Sequence, residues 1–282
     1  MGASSRPFTT VEPPVHRPLL VSADSALHAL ELDVAPAPES AESFAEELRR
    51  LTTAVRGRVL AVIGGCGGAG ATLLAAGLAL TAGRAGLKTL LVDADPLGGG
   101  ADLALGWAPV RGARGPVDLA TLPSNDNVAL LSCGAQAGLP PETMAGALKA
   151  GTEGCDLIVA DLPRHLDGAA TLALRAADRV LLVVPAEQRA CMAAARVAAT
   201  IAPHTAAVQV VVRDPGPLQP QGVGAGLRLP VAGLLRSERE LPAQLERGGG
   251  LRTRYGHLDG LCQQILDGLG LGPVRPEAGA AA

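Results

Sequence analysis

The segment Gly65-Cys66-Gly67-Gly68-Ala69-Gly70-Ala71-Thr72 has the spacing of the phosphate-binding loop, G-x-x-x-x-G-K-[ST], at every fixed position except one. Alanine stands at position 71, where the pattern has lysine. The preceding residues 59–63 are apolar and partly β-branched, which predicts a buried strand, and residues 72–80 are rich in alanine and leucine, which predicts a helix. Glycines let the backbone approach a phosphate closely, and a helix N-terminus offers free N–H groups. The segment therefore predicts a phosphate-binding loop that lacks its lysine.

The length and composition of the chain are those of a soluble globular protein. Its 282 residues give room for one large or two modest domains, and 48% of them are apolar, with a net charge of -3. No apolar run of about 18 residues and no basic-then-apolar N-terminal signal is present, so we expect a cytoplasmic location. The five cysteines are scattered without CxxC spacing, and we expect them to be reduced core residues.

A bias towards arginine does not explain the alanine in the loop. The chain has two lysines and 22 arginines, and such a bias exchanges lysine for arginine at little chemical cost. Position 71 nevertheless has no charge. Arg84, Arg164 and Arg189 are candidates to replace the missing charge in part, although nothing in the sequence places them at the loop.

Strand-like and helix-like segments alternate from residue 58 onward. The runs that predict strands are residues 59–63, 89–92, 128–131, 157–160, 180–184 and 208–212, and those that predict helices are 72–85, 142–151, 168–177 and 190–202. Residues 215–226 are rich in proline and glycine and predict a loop, followed by an apolar run at 229–235 and two helices at 238–247 and about 256–269. The alternation predicts an α/β fold with a mostly parallel sheet and helices on both faces.

The chain divides into three predicted regions. Residues 1–56 contain only short segments, too small for a domain of the usual ~100 residues, and predict an N-terminal arm and linker. Residues 57–271 form the predicted phosphate-loop domain. Residues 272–282 are predicted to be a disordered tail.

Carboxylates follow two of the predicted strands. Asp93 and Asp95 come after the run at 89–92, and Asp161 closes the run at 157–160. Because ligands of such sheets bind at the carboxyl ends of the strands, we expect these acids beside the loop. Carboxylates there are suited to hold Mg²⁺ or a magnesium-bound water, or to orient an attacking water, and the hydroxyl of Thr72 is suited to ligate the cation.

Taken together, these segments resemble a known family. The loop, Val92-Asp93-Ala94-Asp95, Asp161-Leu162-Pro163 and residues 177–185 are similar to the MinD/ParA deviant Walker A ATPases, over residues 58–270. Within that group, residues 68–71 and 95–99 most resemble the CpaE-like septum site-determining proteins (Ssd) of actinobacteria. The resemblance implies a P-loop NTPase-like fold of the MinD/ParA type and a role in cell division. Residues 17–23 resemble only the first strand of the receiver-like region of those proteins, so that region is expected to be truncated or absent.

The resemblance also assigns roles to individual residues. It implies contacts with nucleotide phosphates by Gly65, Cys66, Gly67, Gly68, Ala69, Gly70, Ala71, Thr72 and Leu73. It implies that Thr72 ligates Mg²⁺, that Asp93 and Asp161 hold the cation indirectly or weakly, and that Asp95 orients the catalytic water.

Three positions depart from the family pattern. The family loop reads KGGxGKT, so Cys66 and Ala71 stand at both lysine positions, and Val212 stands where many relatives have an adenine-reading asparagine. Cys66 is interpreted as a small space-filling residue, although a helix N-terminus lowers a thiol pKa. Losing two charged hydrogen bonds weakens binding by ~3 to 6 kcal/mol, or on the order of 10² to 10⁴ in affinity. We therefore expect weakened binding of ATP or ADP with Mg²⁺, and weak or absent hydrolysis.

Two alternatives stay open at this point. One is an active MinD-like ATPase with a substitute cation. The other is an NAD(P)-type dinucleotide-binding protein, because residues 65–70 also read G-x-G-x-x-G and Asp93 follows where a ribose-binding acid would lie. That second fold requires neither Thr72, nor Asp95, nor Asp161.

The expected partners are proteins of the division or envelope apparatus, with a homodimer as a further expectation from the resemblance. The C-terminal segment has an apolar stripe but no lysine or arginine on its other face, so packing against the domain is expected rather than membrane binding by this helix. Recruitment to the membrane or septum would then depend on partners. An acidic chain with four aromatic residues gives no support for sequence-specific nucleic-acid binding.

Overall fold

The computed structural model describes residues 57–134, 138–237, 240–251 and 256–272. The predicted arm and linker at residues 1–56 and the predicted tail after residue 272 lie outside the described residues. In the described part of the chain, a sheet of eight strands is flanked by eight α-helices.

The sheet has the strand order β3-β4-β2-β5-β1-β6-β7-β8, and all neighbouring strands are parallel except the β3–β4 pair. The strands are β1 (Arg58–Gly64), β2 (Thr89–Asp93), β3 (Ser124–Asn125), β4 (Val128–Ser132), β5 (Leu157–Leu162), β6 (Arg179–Pro185), β7 (Val208–Asp214) and β8 (Val231–Arg236). Strand β1 therefore lies in the middle, between β5 and β6.

The helices cover both faces of the sheet. They are α1 (Ala71–Arg84), α2 (Ala101–Leu105), α3 (Pro141–Gly154), α4 (Gly168–Ala176), α5 (Gln188–Ile201), α6 (Pro220–Leu227), α7 (Leu241–Glu246) and α8 (His257–Asp267), with a short 3₁₀ helix at Leu119–Thr121. Helices α3 to α6 contribute to the core on one face, and α1, α2 and α8 contribute to the core on the other. The predicted fold class, a mostly parallel sheet between two helical layers, is confirmed.

The apolar runs form strands because they are buried on both faces. Along β1, the side chains of Val59, Ala61 and Ile63 belong to one core, while those of Leu60 and Val62 belong to the other. A strand with a helix layer on each side has no solvent face, so its sequence is continuously apolar and does not alternate. All six predicted strands are present for this reason.

The loop predicted at residues 215–226 is wrong in its second half, where α6 begins at Pro220. Proline suits the first turn of a helix because its fixed φ is already helical and its missing N–H has no partner there. Val223 is buried against β7 and the neighbouring helices. Tertiary burial therefore outweighs the weak helix propensity of the glycines in this segment.

Two short elements, α2 and β3, were not predicted. Several strands also extend beyond the apolar runs that predicted them. Asp93 and Asp161 are not beyond their strands but within them, paired with each other across β2 and β5. Strand pairing depends on the backbone, so it continues through a polar side chain that an apolar pattern excludes.

Helix α8 packs against α1 and β8, as the stripe of apolar residues predicts. The buried side chains of the stripe are Leu258, Leu261, Cys262, Ile265, Leu266 and Leu269. A polar contact accompanies them: Asp259 accepts hydrogen bonds from Thr81 (3.1 Å) and from Arg84, both on α1. The helix is thus a structural part of the domain.

The C-terminal end of α1 lies against the β3–β4 turn, and Gly83 is needed at that contact. A methyl group on Gly83 would lie 2.5 Å from the carbonyl oxygen of Asp126 and 2.7 Å from a methyl carbon of Val128. Alanine is favoured over glycine in a helix by about 1 kcal/mol, but the forced shift costs about 1–3 kcal/mol. We expect Gly83→Ala to lower the free energy of unfolding by up to about 2 kcal/mol, measured by urea denaturation.

The matched control for this substitution is Gly222→Ala in α6, where no atom of the described residues outside the local helix backbone lies within 4 Å of the added methyl group. It is expected to leave stability unchanged or raise it by up to about 1 kcal/mol. Equal effects of the two substitutions would contradict the close approach of α1 to the β3–β4 turn.

Candidate functional site

The glycine-rich loop connects β1 to α1 and turns sharply at two glycines. Gly68 has φ of 68° and Gly70, which precedes the first residue of α1, has φ of 100°. These are left-handed conformations that glycine adopts without the strain of a side chain. The chain therefore leaves β1, folds back on itself and enters α1 with the N-terminus of the helix directed at the loop, as the motif predicts.

A cavity of about 500 Å³ opens beside this loop, at the carboxyl ends of the strands. The loop and the start of α1 form one wall through Gly64, Cys66, Gly67, Gly68, Ala69, Gly70, Ala71, Thr72 and Leu73. The turn after β2 forms a second wall, with Asp95, Leu97, Gly98, Gly99 and Gly100, and α2 adds Leu103 and Ala104. The remaining lining comes from Arg164, Arg213, Leu235, Arg236, Ser237, Leu241, Pro242, Leu245 and Leu258.

Asp161 is buried directly behind the loop, with 1% of its surface exposed. The hydroxyl of Thr72 donates a hydrogen bond to its carboxylate, and its Oδ2 atom has no partner among the described residues. Burial raises the pKa of Asp161 to about 8; the negative charges of Asp93 and Asp95 add to this rise, and the hydrogen bond from Thr72 opposes it. The family resemblance assigned magnesium roles to Thr72 and Asp161, and the hydrogen bond brings the two side chains together.

Asp93 is the second buried carboxylate, with 3% of its surface exposed. Its Oδ2 atom accepts a hydrogen bond from the backbone N–H of Ala101 (3.0 Å), and its Oδ1 atom has no partner among the described residues. Burial raises the pKa of Asp93, although backbone hydrogen bonds from Ala101 and Asp95 act in the opposite direction. Two unpartnered carboxylate oxygens thus lie on adjacent strands, which is the donor chemistry that a hard divalent cation requires.

Asp95 is partly exposed and lines the cavity, unlike the two buried acids. Its carboxylate accepts the backbone N–H of Leu97 (3.0 Å), and its carbonyl oxygen accepts that of Gly98 (3.1 Å). A methyl group on Gly98 would lie 3.5 Å from the Thr72 hydroxyl. The turn is therefore closed by its own hydrogen bonds and lies against the first turn of α1.

The two positions that have lost lysine remain at the cavity wall. Cys66 and Ala71 both line it and are both partly buried. Burial raises the pKa of the Cys66 thiol, Arg164 and Arg213 act against this rise, and Glu187 adds to it. Desolvation therefore outweighs the positive charges of the two arginines, and the thiol is the stable form of this side chain.

Three arginines line the cavity, and the sequence identified only one of them as a candidate. Arg164 lies beside the loop as proposed, whereas Arg84 is bound to Asp259 on α8 and Arg189 does not line the cavity. Arg213 and Arg236 are the additions. Arg213 carries the clearest contact, because its guanidinium donates a hydrogen bond to the carbonyl oxygen of Gly68 (2.6 Å). A sequence signal was present, since Arg213 follows the predicted strand at 208–212 and Arg236 follows the apolar run at 229–235, and ligands bind at the carboxyl ends of strands.

Some predicted site residues do not reach the cavity. The N–H of Gly65 donates to the carbonyl of Val183 (2.8 Å), so this glycine belongs to the sheet contact with β6. Asp93 and Asp161 lie behind the wall and do not line it. Val212 is completely buried in the core, while its neighbour Arg213 reaches the loop.

The dinucleotide-binding alternative requires an accessible acid at the end of β2. Asp93 is buried and does not line the cavity, so it is not accessible to a ribose there. None of the helices in the described ranges has the length and apolar character needed to cross a membrane.

Two curated proteins are similar to this chain in sequence. They are "Uncharacterized protein Rv3660c" and "Uncharacterized protein MT3760", from the H37Rv and CDC 1551 strains of Mycobacterium tuberculosis. Each is 36% identical over 265 residues, which cover 86% of this chain and 72% of the mycobacterial protein. No protein-family model matches the chain.

Solved structures of MinD and ParA proteins share the fold. The MinD cell division protein and the MinC:MinD complex of Aquifex aeolicus align with a TM-score of 0.64 at 21% identity, over 78% of this chain and 99% of the other. A ParA family ATPase from Chlorobium tepidum aligns with a TM-score of 0.63 at 14% identity, over 75% and 97% of the two chains. The septum site-determining protein MinD of Pyrococcus horikoshii, complexed with Mg-ADP, aligns at 0.62 and 17%, over 78% and 100%.

The structural neighbours share the fold described above. The chain therefore belongs to one family with the two mycobacterial proteins, and its fold is that of the MinD and ParA structures.

Proposed function

We propose that this protein is a nucleotide-binding regulator of cell division, of the CpaE-like septum site-determining type, with weak or absent ATP hydrolysis. The observation that carries the proposal is the composition of the cavity wall. The glycine turns, Thr72 and Asp95 are kept around it, whereas Cys66 and Ala71 stand at the positions of both lysines. Such a site keeps the shape that receives a nucleotide and lacks the charge that drives its hydrolysis.

Binding of the phosphates is supported by the backbone of the loop. The N-terminus of α1 has no side-chain cap among the described residues, and a helix N-terminus offers N–H groups and a partial positive charge to an anion. The glycines at 68 and 70 keep side chains out of the approach. This backbone contribution to phosphate binding does not depend on lysine. We therefore infer that phosphate binding is weakened but retained.

Magnesium is the cation that the fold implies, and the residues present fit it. Thr72 supplies a hydroxyl oxygen, and Asp161 and Asp93 each have one carboxylate oxygen without a partner among the described residues. No group of three or more His, Cys, Asp or Glu in the described ranges is arranged to hold a metal by itself. Thr72 would ligate the ion, and the two buried acids would hold its waters. When bound, the ion neutralises phosphate charge.

Hydrolysis is the function that we propose to be impaired. In related chemistry, a positively charged side chain next to the transferring phosphoryl group raises the rate by about 10³ to 10⁵. The loop contains no lysine or arginine. Asp95 lines the cavity, which supports the water-orienting role proposed for it, and we propose that the deficit lies in charge stabilisation rather than in the position of the acid.

A regulator of this kind acts by contacts with proteins, and an exposed apolar rim at the cavity supports this proposal. Leu97 is 89% exposed and Leu103 is 46% exposed, and both line the cavity mouth. The MinC:MinD complex is a solved example of a structural neighbour bound to a partner. We propose that the present chain binds division or envelope proteins, with itself as one candidate partner, and reaches the septum through them, since α8 is packed into the domain.

The test of this proposal is titration of the purified full chain with ATP and ADP, with and without Mg²⁺, by isothermal calorimetry, together with a phosphate-release assay. We expect magnesium-dependent binding weaker than micromolar and no turnover above the protein-free background. Micromolar binding with measurable turnover would show an active ATPase instead, and selective binding of NADH would overturn the assignment of the ligand.

The septal role needs a separate measurement in the organism. Deletion of the gene is expected to change cell length and septum position, scored by microscopy. A normal length distribution with normal septa would contradict this part of the proposal while leaving nucleotide binding untouched.

A further inference from the structure

The loop has lost both lysines, yet the cavity is not without positive charge. Arg164 and Arg213 come from different strands and meet at the loop from its two sides. We propose that these two arginines bind the phosphate chain of the ligand in place of the loop lysines. The inference deepens the proposed nucleotide-binding function and rests on it, because it names the residues that supply the missing charge.

Arg213 is held at the loop by a direct contact. Its Nη1 atom donates to the carbonyl oxygen of Gly68 at 2.6 Å. A guanidinium has five N–H donors, so one bond to the loop leaves four for other acceptors. Gly68 is one of the two glycines that turn the loop. The bond therefore fixes the cation beside the segment whose backbone faces a phosphate.

Arg164 lies beside Gly67, the residue that precedes Gly68 in the loop. A methyl group on Gly67 would lie 3.7 Å and 4.0 Å from its two terminal nitrogens. The arginine follows Asp161-Leu162-Pro163 at the end of β5, and its exposed side chain lines the cavity. One guanidinium therefore lies beside Gly67 and the other is bound to Gly68.

The topology of the sheet explains why distant residues meet here. The loop follows β1, which lies between β5 and β6, and β7 is the next strand beyond β6. Arg164 follows β5 and Arg213 is the penultimate residue of β7, so both extend from the same edge of the sheet as the loop. Parallel strands bring their carboxyl ends together however far apart they are in sequence.

Neither guanidinium forms an ion pair with a carboxylate of the described residues. Within the described part of the chain, the ion pairs are Arg58 with Asp178 and Arg84 with Asp259, and neither involves the two cavity arginines. Both arginines also act on Cys66 through their charge, which places them near a former lysine position. A guanidinium presents a planar fork of donors that matches phosphate oxygens, so it suits this role at least as well as an ammonium group.

The test uses the full chain and inorganic pyrophosphate as the probe, titrated by calorimetry at low salt. We expect Arg213→Gln and Arg164→Gln each to weaken pyrophosphate binding about 10- to 100-fold, since each removes a charged hydrogen bond. Arg196→Gln, an exposed arginine of α5 outside the cavity, is the matched control and is expected to keep wild-type affinity. Each variant is accepted only when its thermal unfolding midpoint matches that of the wild type.

Arg213→Lys separates binding from a purely structural role. Lysine keeps the charge, whereas glutamine keeps an amide donor for the Gly68 carbonyl but loses the charge. Affinity retained in Arg213→Lys and lost in Arg213→Gln supports the proposal, as does a shallower salt dependence in the double glutamine variant. Wild-type affinity in both glutamine variants overturns it.

The outcomes also separate this inference from the proposed nucleotide function. If pyrophosphate binds through the arginines but ATP does not compete with it, the arginine assignment stands and the nucleotide assignment fails. If ATP and pyrophosphate bind the glutamine variants as tightly as they bind the wild type, the arginine assignment fails and the nucleotide assignment stands. If the wild type binds neither, both are overturned.

Discussion

Replacing Asp161 by asparagine is expected to make the protein more stable as the pH rises, relative to the wild type. The difference in free energy of unfolding between Asp161→Asn and the wild type should grow by about 4 kcal/mol between pH 5 and pH 8. The measurement is urea denaturation of both proteins at several pH values, in the presence of a chelator of divalent cations.

The sign follows from the buried position of this carboxyl. Its pKa is about 8 in the folded chain, above the value of about 4 for an aspartic acid in an unfolded chain. Folding therefore keeps a proton that the unfolded state releases. The stability associated with Asp161 is fully present below pH 4, and it is lost as the pH rises towards 8. Asparagine has the shape of the protonated acid and never ionises, so it escapes this loss.

The control is Asp267→Asn, which removes an exposed carboxylate at the end of α8. A pH-dependent change in the free energy of unfolding that both variants share is caused by the change in net charge and not by the buried site. A difference for Asp161→Asn that stays constant from pH 5 to pH 8 would show that this carboxylate is ionised in the folded protein at neutral pH, contrary to its burial beside Asp93.

Introducing a lysine into the loop is expected to strengthen ligand binding. Ala71→Lys places an ammonium group at the cavity wall, at the first residue of α1. One hydrogen bond from a charged donor contributes about 1.5 to 3 kcal/mol, so we expect ATP affinity to rise about 10- to 100-fold. The measurement is calorimetric titration of the variant and the wild type with ATP and Mg²⁺.

The variant also carries a small cost in stability. A positive charge in the first turn of a helix opposes the helix dipole by about 0.3–1 kcal/mol. Ala71→Met adds a side chain of similar length without charge and is the matched control. Equal affinity of the lysine and methionine variants would show that the cavity does not receive phosphates at this position, and it would weaken the proposed function as a whole.

Much of the fold was predictable because it depends on short-range patterns. The apolar runs around residues 59–63 and 180–184 form strands wherever both faces are covered, and the glycines at 68 and 70 allow a turn that other residues resist. The stripe on α8 predicted its own burial against the domain. The elements that escaped prediction, α2, β3 and α6, are short or rich in glycine, and tertiary contacts stabilise them.

The site was predictable only in part. The loop, Thr72 and Asp95 were found from spacing, and the structure brings them to one cavity. Arg213 was missed because its partner, Gly68, is 145 residues away in the chain. The apolar half of the cavity was missed for the same reason, since Leu235, Leu241 and Leu245 come from segments with no local mark of a binding site.

The amino-acid sequence by itself determined the order of strands and helices, the sharp turn of the loop and the absence of lysine from it. Each of these depends on residues within a few positions of one another, where hydrophobic period and backbone conformation decide the outcome. Only the tertiary structure decided that two arginines flank the loop, that Asp161 is desolvated beside Asp93 and that Leu97 and Leu103 rim the cavity. Those features depend on distance in space and on exclusion of water, which arise when the parallel strands align their carboxyl ends around β1.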